Sequence, residues 1–222
     1  MGREIRLNRG LKINLDGESD KVYANVKLNS NYVVKPTDFH GLIPRLEVKV
    51  GDKVKAGSYI FHDKYNEKIK FCSPVSGEIT DIIRGKKRRI LEIVIKSDDK
   101  IDYHNFPTSN LDDLNREQII DRMLDGGVWP FIRQKPYDII ANPYDVPKTI
   151  FISTFNSAPL TIDNDFALYG MENLFQQGLN LITKLTSGKT HLNLDGNTNP
   201  SQVFSDLKGV EINRIIGQHP AG

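Results

Sequence analysis

The hydrophobic period of this 222-residue chain changes between residues 97 and 113. Before that stretch, apolar residues alternate in short runs that turn residues close. Ile13-Asn14-Leu15 runs into Asp16-Gly17. Val22, Ala24, Val26 and Leu28 alternate with Tyr23, Asn25 and Lys27, which predicts a strand ending at Asn29-Ser30-Asn31. Leu46, Val48 and Val50 alternate up to Gly51-Asp52, and Gly57 marks the next turn. Further strands are expected from Tyr59 to Phe61 and around Ile69 and Phe71. Ile79–Ile83 and Ile90–Ile95 flank Arg84-Gly85-Lys86-Lys87-Arg88-Arg89, which reads as a hairpin. Many short strands with close turns predict a small β-sandwich or barrel.

Beyond residue 113 the spacing becomes helical. Asn115 and Gln118 form a capping-box pattern ahead of Ile119, Ile120, Met123 and Leu124, and Gly126 is placed to end that helix. Thr149–Thr154 is a strand candidate. Asp163 or Asp165 is expected to cap one long helix carrying Leu168, Met171, Leu174, Phe175, Leu179, Ile182 and Leu185, closed by Ser187-Gly188. His191–Leu194 and Val210–Ile216 read as strands, with a short helix opened by Pro200 between them. Strands alternating with helices predict a Rossmann-like α/β domain with a mainly parallel sheet. The expected organisation is α+β and multi-domain: a β domain over 1–100, a linker over 101–113 and the α/β domain over 114–222. The chain stops directly after a strand, so the α/β domain is expected to be incomplete at its C-terminus.

Charge follows the same division. Residues 1–100 carry 21 Lys/Arg and 14 Asp/Glu, and residues 101–222 carry 9 and 14, so a basic module precedes an acidic one. With 38% apolar residues the chain is too hydrophobic for wholesale disorder. No apolar run approaches the length of a membrane helix, and MGREIRLNRG is not expected to act as a secretory signal. The single cysteine, Cys72, excludes a disulfide framework or a cysteine-only metal site within this chain. The five histidines lack ligand spacing, so no metal is expected.

Three stretches carry chemistry. Val48–Gly57 followed by Ser73-Pro74-Val75-Ser76-Gly77 resembles the G-D-x-V-x-x-G and A-P-x-x-G segments of lipoyl and biotinyl carrier domains, which implies a barrel-sandwich hybrid fold. The modified lysine of those carriers falls at Asn66 or Glu67 here, with Lys64 and Lys68 out of register, so the scaffold is expected without the carrier function. The tip Lys86, Lys87, Arg88 and Arg89 lacks interleaved aromatics. It reads as a solvated turn or a docking patch for a neighbouring protein of a complex rather than a nucleic-acid contact. The third stretch, Asp125 to Pro136, holds the only tryptophan. Trp129 and Phe131 offer flat apolar faces, and Arg133 and Lys135 offer donors to carbonyl oxygens. That mix suits a quinoid ligand, although on chemistry alone a helix C-cap with two core aromatics is the better fit.

Together these segments resemble the NqrA family, one of the component proteins of sodium-translocating NADH:quinone oxidoreductases. The stretches that carry it are Arg9–Ile13, Gly41–Gly57, Lys70–Gly77, Arg84–Arg88, Gly127–Arg133, Ser157–Leu160 and His219–Gly222. The family is similar to the RnfC electron-transport proteins and to the flavin-carrying component of respiratory complex I. In those relatives a G-x-G-G-A-x-F-P loop cradles FMN. The matching stretch here is Leu124–Pro130, with Val128 for the small residue and Trp129 beside it. Their N-x-x-E-x-E-P motif reads Ser153–Pro159 here, with both carboxylates replaced. The resemblance implies a peripheral component on the cytoplasmic face of the bacterial inner membrane, with no membrane span of its own. Its complex would couple electron transfer from NADH to ubiquinone or another quinone to sodium export. Flavins and an iron–sulfur centre would reside in partner subunits, none in this chain, with quinone as a ligand here. An RnfC-like electron-transport role and a pure docking scaffold are the alternatives.

Overall fold

The computed structural model describes residues 2–17, 19–200 and 202–221. In chain order the elements are β1 (Glu4–Arg6), β2 (Asn31–Val34), β3 (Pro44–Leu46), β4 (Lys53–Val54), β5 (Tyr59–Asp63), β6 (Asn66–Cys72), β7 (Gly77–Arg84), β8 (Ile90–Ser97), α1 (Arg116–Asp125), β9 (Arg133–Gln134), β10 (Ile139–Ile140), β11 (Thr149–Ser153), α2 (Asn164–Ala167), α3 (Glu172–Thr183), β12 (Lys189–Asp195), α4 (Gln202–Ser205) and β13 (Glu211–Ile216). They form two compact units: Asn25–Asp145, and Met1–Ala24 with Val146–Gly222.

In the first unit, β2-β8-β7-β4 and β3-β5-β6 make two antiparallel sheets. The inward residues are β-branched or aromatic, as half-buried pleated strands favour. Ile60, Phe61, Ile79, Ile93 and Ile95 are completely buried. The β7–β8 hairpin forms where the sequence places it, with a register shift between Ile79 and Asp81. Helix α1 starts with the full capping box. Gln118 N donates to Asn115 Oδ1 at 2.9 Å, and Asn115 N donates to Gln118 Oε1 at 3.0 Å. Its buried stripe, Ile119, Ile120 and Leu124, seats the helix on β6.

In the second unit, β11, β12, β13 and β1 form a wholly parallel sheet in that order. One face is apolar: Leu192 and Leu194 pack with Ile152 and Ile212 against Leu168, Phe175, Val203 and Phe204. The opposite face carries a cross-strand row in which Phe151 stacks on His191 at 5.0 Å. Beside it, Asn213 Nδ2 donates to Asn193 Oδ1 at 3.0 Å.

Three expectations change. Residues 22–28 form no strand, because no sheet edge pairs with them, and Val22, Val26 and Leu28 stay exposed. This segment is held instead by side chains: Tyr23 stacks on Phe166 at 4.7 Å, and Lys21 pairs with Asp163 at 2.6 Å. The alternation from Leu46 to Val50 ends as a strand at Leu46, because Asp52 Oδ2 accepts from Lys49 N and turns the chain. The long helix is two helices. Asp163 caps α2, but Gly170 adopts a φ of +80°, and α3 starts after it. The compact unit Asn25–Asp145 takes in residues 101–113 and α1. Residues Asp102 and His104 bond to Ala56, α1 packs on β6, and β1 pairs with β13 far along the chain.

Candidate functional site

The aromatic-basic stretch after α1 is built by a tight sequence of turns. Gly126 N closes α1 on Arg122 O at 2.8 Å. Gly127 then takes a φ of +66° with its Cα against Cys72; a Cβ there would meet Sγ at 2.6 Å. Pro130, inside the single turn Trp129–Phe131, fixes φ for that turn. Strands β9 and β10 pair Arg133 with Ile140 and Gln134 with Ile139. The loop between them is tied by a 2.9 Å ion pair from Lys135 to Asp138.

The two expected stacking residues part company. Trp129 is 4% exposed, and its Nε1 donates to Ala141 O at 2.8 Å, so it pins the β9–β10 segment to the end of α1. Phe131 is 72% exposed. Its ring meets Phe39 edge-on at 6.0 Å. Phe39 meets Phe71 at 4.7 Å, and Phe71 stacks on the fully buried Phe61 at 4.4 Å. A continuous aromatic row therefore runs from the barrel core to the surface. The Arg133 guanidinium lies 5.7 Å from the Phe39 ring centroid and donates weakly to Asp138 O at 3.5 Å. The Lys135 ammonium, hydrogen-bonded to Asp138, holds that carboxyl below the usual range. Lys135 is thus engaged, whereas Arg133 retains donors for a ligand.

Sequence reading missed Phe39, which lies in a loop far from Phe131 in the chain and carries no spacing signal. It also missed a polar cluster at the end of α1. Lys70 Nζ lies 3.1 Å from Asp125 Oδ1 and 4.2 Å from the Tyr59 ring centroid. Partial burial disfavours the Lys70 charge, but Asp125 and Tyr59 outweigh it and raise its pKa. Burial raises the Tyr59 hydroxyl and pushes the Cys72 thiol up to about 11.

The expected docking residues Lys86, Lys87, Arg88 and Arg89 sit together at the tip of the β7–β8 hairpin. Lys87 and Arg88 both take positive φ, 56° and 59°. Arg84 Nη1 donates to Arg88 O at 3.3 Å across the turn, and the four tip side chains remain exposed. Among the described residues no group of His, Cys, Asp and Glu could hold a metal ion. None of the described helices is long and apolar enough to cross a membrane.

A barrel-sandwich hybrid joined to a Rossmann-like α/β domain defines the class of this protein. Two family matches cover it: the NqrA N-terminal barrel-sandwich hybrid domain over residues 5–98, and the NqrA second alpha/beta domain over residues 114–222. The chain belongs to the NqrA family. Similar proteins are the NqrA components of the Na(+)-translocating NADH-quinone reductases of Tolumonas auensis, 32% identical over 221 residues, and of Marinomonas sp., 31% identical over 220. The corresponding protein of Photorhabdus laumondii is 29% identical over 220 residues. Each alignment covers 98% of this chain but only 48–49% of the relative, so the chain spans about half the length of these relatives.

Proposed function

We propose that this chain acts as a peripheral NqrA component in a sodium-pumping NADH:quinone reductase. In this reading the complex passes electrons from NADH to ubiquinone or a related quinone and exports Na+. The chain sits on the cytoplasmic face of the bacterial inner membrane, against membrane-embedded partner subunits that hold the flavins and the iron–sulfur centre. Residues 1–100 and 114–222 are its two inherited domains. The chain associates with quinone and lacks a flavin or NADH site of its own.

The observation that carries the quinone reading is the exposed Phe131 ring at the end of the aromatic row, beside Arg133. A quinone ring stacks on Phe131, and Arg133 donates to a carbonyl oxygen. Trp129 pins the β9–β10 segment through Ala141, and Lys135 keeps the neighbouring loop in place through Asp138. Gly127 supports the flavin-free reading, because its missing side chain accommodates Cys72 rather than a phosphate or a flavin ring. Trp129, the single tryptophan, reports on the site. A water-soluble short-chain quinone should quench its emission saturably, and Phe131→Ala or Arg133→Ala should weaken that quenching about tenfold. Absence of saturation rejects the reading.

A docking role is the second reading, and the hairpin tip favours it. Four exposed cations from Lys86 to Arg89 suit an acidic surface on a partner protein. Charge reversal there should block assembly with partner subunits while leaving the quinone titration intact. NADH oxidation is not expected of the chain alone, and a turnover assay with an artificial acceptor checks this.

A further inference from the structure

The parallel sheet of the second unit ends in a cleft that the readings above leave unused. Register places the carboxyl ends of β12, β13 and β1 side by side, with Asp195 opposite Ile215 and Ile216 opposite Arg6. Just beyond them lies a cavity of about 400 Å³, bordered by Arg6, Arg9, Asn197 and Gln218 and by the backbone of Gly10 and Gly217. Open parallel sheets bind ligands at this end, where loops diverge and leave a crevice.

The floor is backbone, brought close by glycine. A Cβ on Gly217 would lie 2.8 Å from Leu7 Cβ, and one on Gly10 would lie 2.8 Å from His219 O. Asn197 braces the rim by donating to Asp195 Oδ1 at 2.9 Å and to Gly217 O at 3.3 Å. The donors outnumber their partners. Among the described residues, the backbone N–H groups of Asn8, Arg9 and Gln218 meet no acceptor, and the Arg9 guanidinium has no partner. Arg6 is bound to Glu4, with Nη2 2.7 Å from Oε1. None of the residues bordering the cavity is acidic.

We infer that this cleft binds a small phosphorylated molecule, with Arg9 as its principal cation. Three amides without acceptors and a guanidinium bordering one cleft match the three terminal oxygens of a phosphate monoester better than the two of a carboxylate. The volume falls within the range of small-molecule sites and exceeds what a phosphate alone fills. Glu4 competes for Arg6, so Arg6 is the reserve cation and Arg9 the ready one.

The test is amide chemical-shift titration of the chain with glycerol 3-phosphate, with inorganic phosphate and with acetate, at constant ionic strength. Both phosphates should move the Arg9, Gly10 and Gln218 amides saturably, with glycerol 3-phosphate the tighter and acetate about tenfold weaker. Arg9→Ala should weaken phosphate binding about tenfold. Glu4→Gln should tighten it several-fold by freeing Arg6. Arg9→Gln, which keeps an exposed polar side chain, serves if the alanine variant does not fold. Lys87→Ala, on the hairpin of the other unit, should change nothing. Acetate binding as tightly as phosphate overturns the phosphate assignment. Shifts that fail to saturate, or that survive both Arg9 variants unchanged, overturn the site.

Discussion

A methyl group on Gly127 would sit 2.6 Å from the Cys72 sulfur, so these two residues share one side chain's worth of space. The φ of +66° adds a second reason for glycine. Gly127→Ala should cost about 1–2 kcal/mol in backbone strain and about 1–3 kcal/mol in overpacking. Adding Cys72→Ala should recover the overpacking part and leave the strain. Urea denaturation of the single and double variants measures both, and strictly additive losses would contradict a shared space.

Alkaline pH should loosen the same region. Burial lifts the Cys72 thiol from an ordinary 9.0 to about 11. The folded chain therefore keeps a proton between those values that the unfolded chain has released. That stability is fully present below pH 9 and disappears as pH climbs through about 11. Tyr59 and Lys70 are also raised, so their contributions vanish in the same direction. Cys72→Ala should make the fall in stability above pH 9 shallower. At pH 8 the native thiol should react with iodoacetamide at least about tenfold more slowly than in denaturant, because the thiolate is the nucleophile.

Trp129 and Phe131, two residues apart, should differ several-fold in what truncation costs. Trp129→Ala removes a buried ring and should cost about 3–5 kcal/mol. Trp129→Phe keeps most of the packing but orphans the Ala141 carbonyl, for about 1 kcal/mol. Phe131→Ala removes an exposed ring and should stay within about 0.5 kcal/mol of the parent. Thermal unfolding ranks the three, and comparable losses at both positions would mean that Phe131 is a packing residue.

What the sequence disclosed was local. The capping box at Asn115 and Gln118 and the β7–β8 hairpin depend on neighbours within a few residues, and both formed as expected. The α/β alternation was legible because β11, β12 and β13 are short runs rich in apolar residues, separated by stretches with helical spacing. Long-range pairing was not. The placement of β1 beside β13 depends on an open sheet edge, which no period in Glu4–Arg6 reports. The alternation at 22–28 had the right period but found no edge to join. In the aromatic-basic stretch, composition revealed the rings and cations but not which ring faces outward. That was decided by the Trp129 N–H finding the Ala141 carbonyl, and by Phe39 arriving from a distant loop.

The hairpin tip separates geometry from charge. Lys87 and Arg88 hold left-handed φ without being glycine, a conformation that costs L-residues about 1–2 kcal/mol each. Lys87→Gly removes the Cβ that causes the strain, and part of the gain returns as the entropy of a freer unfolded chain. The expected net is a gain of roughly 0.5 kcal/mol, read by urea denaturation. Lys87→Glu keeps the strain and reverses the charge, so stability should hardly move, within about 0.5 kcal/mol. If the tip docks an acidic partner, Lys87→Glu should abolish assembly, while Lys87→Gly, which removes only one of four cations, should retain most of it. Retained assembly with the charge-reversed variants of Lys86, Lys87, Arg88 and Arg89 together would leave the tip a solvated turn.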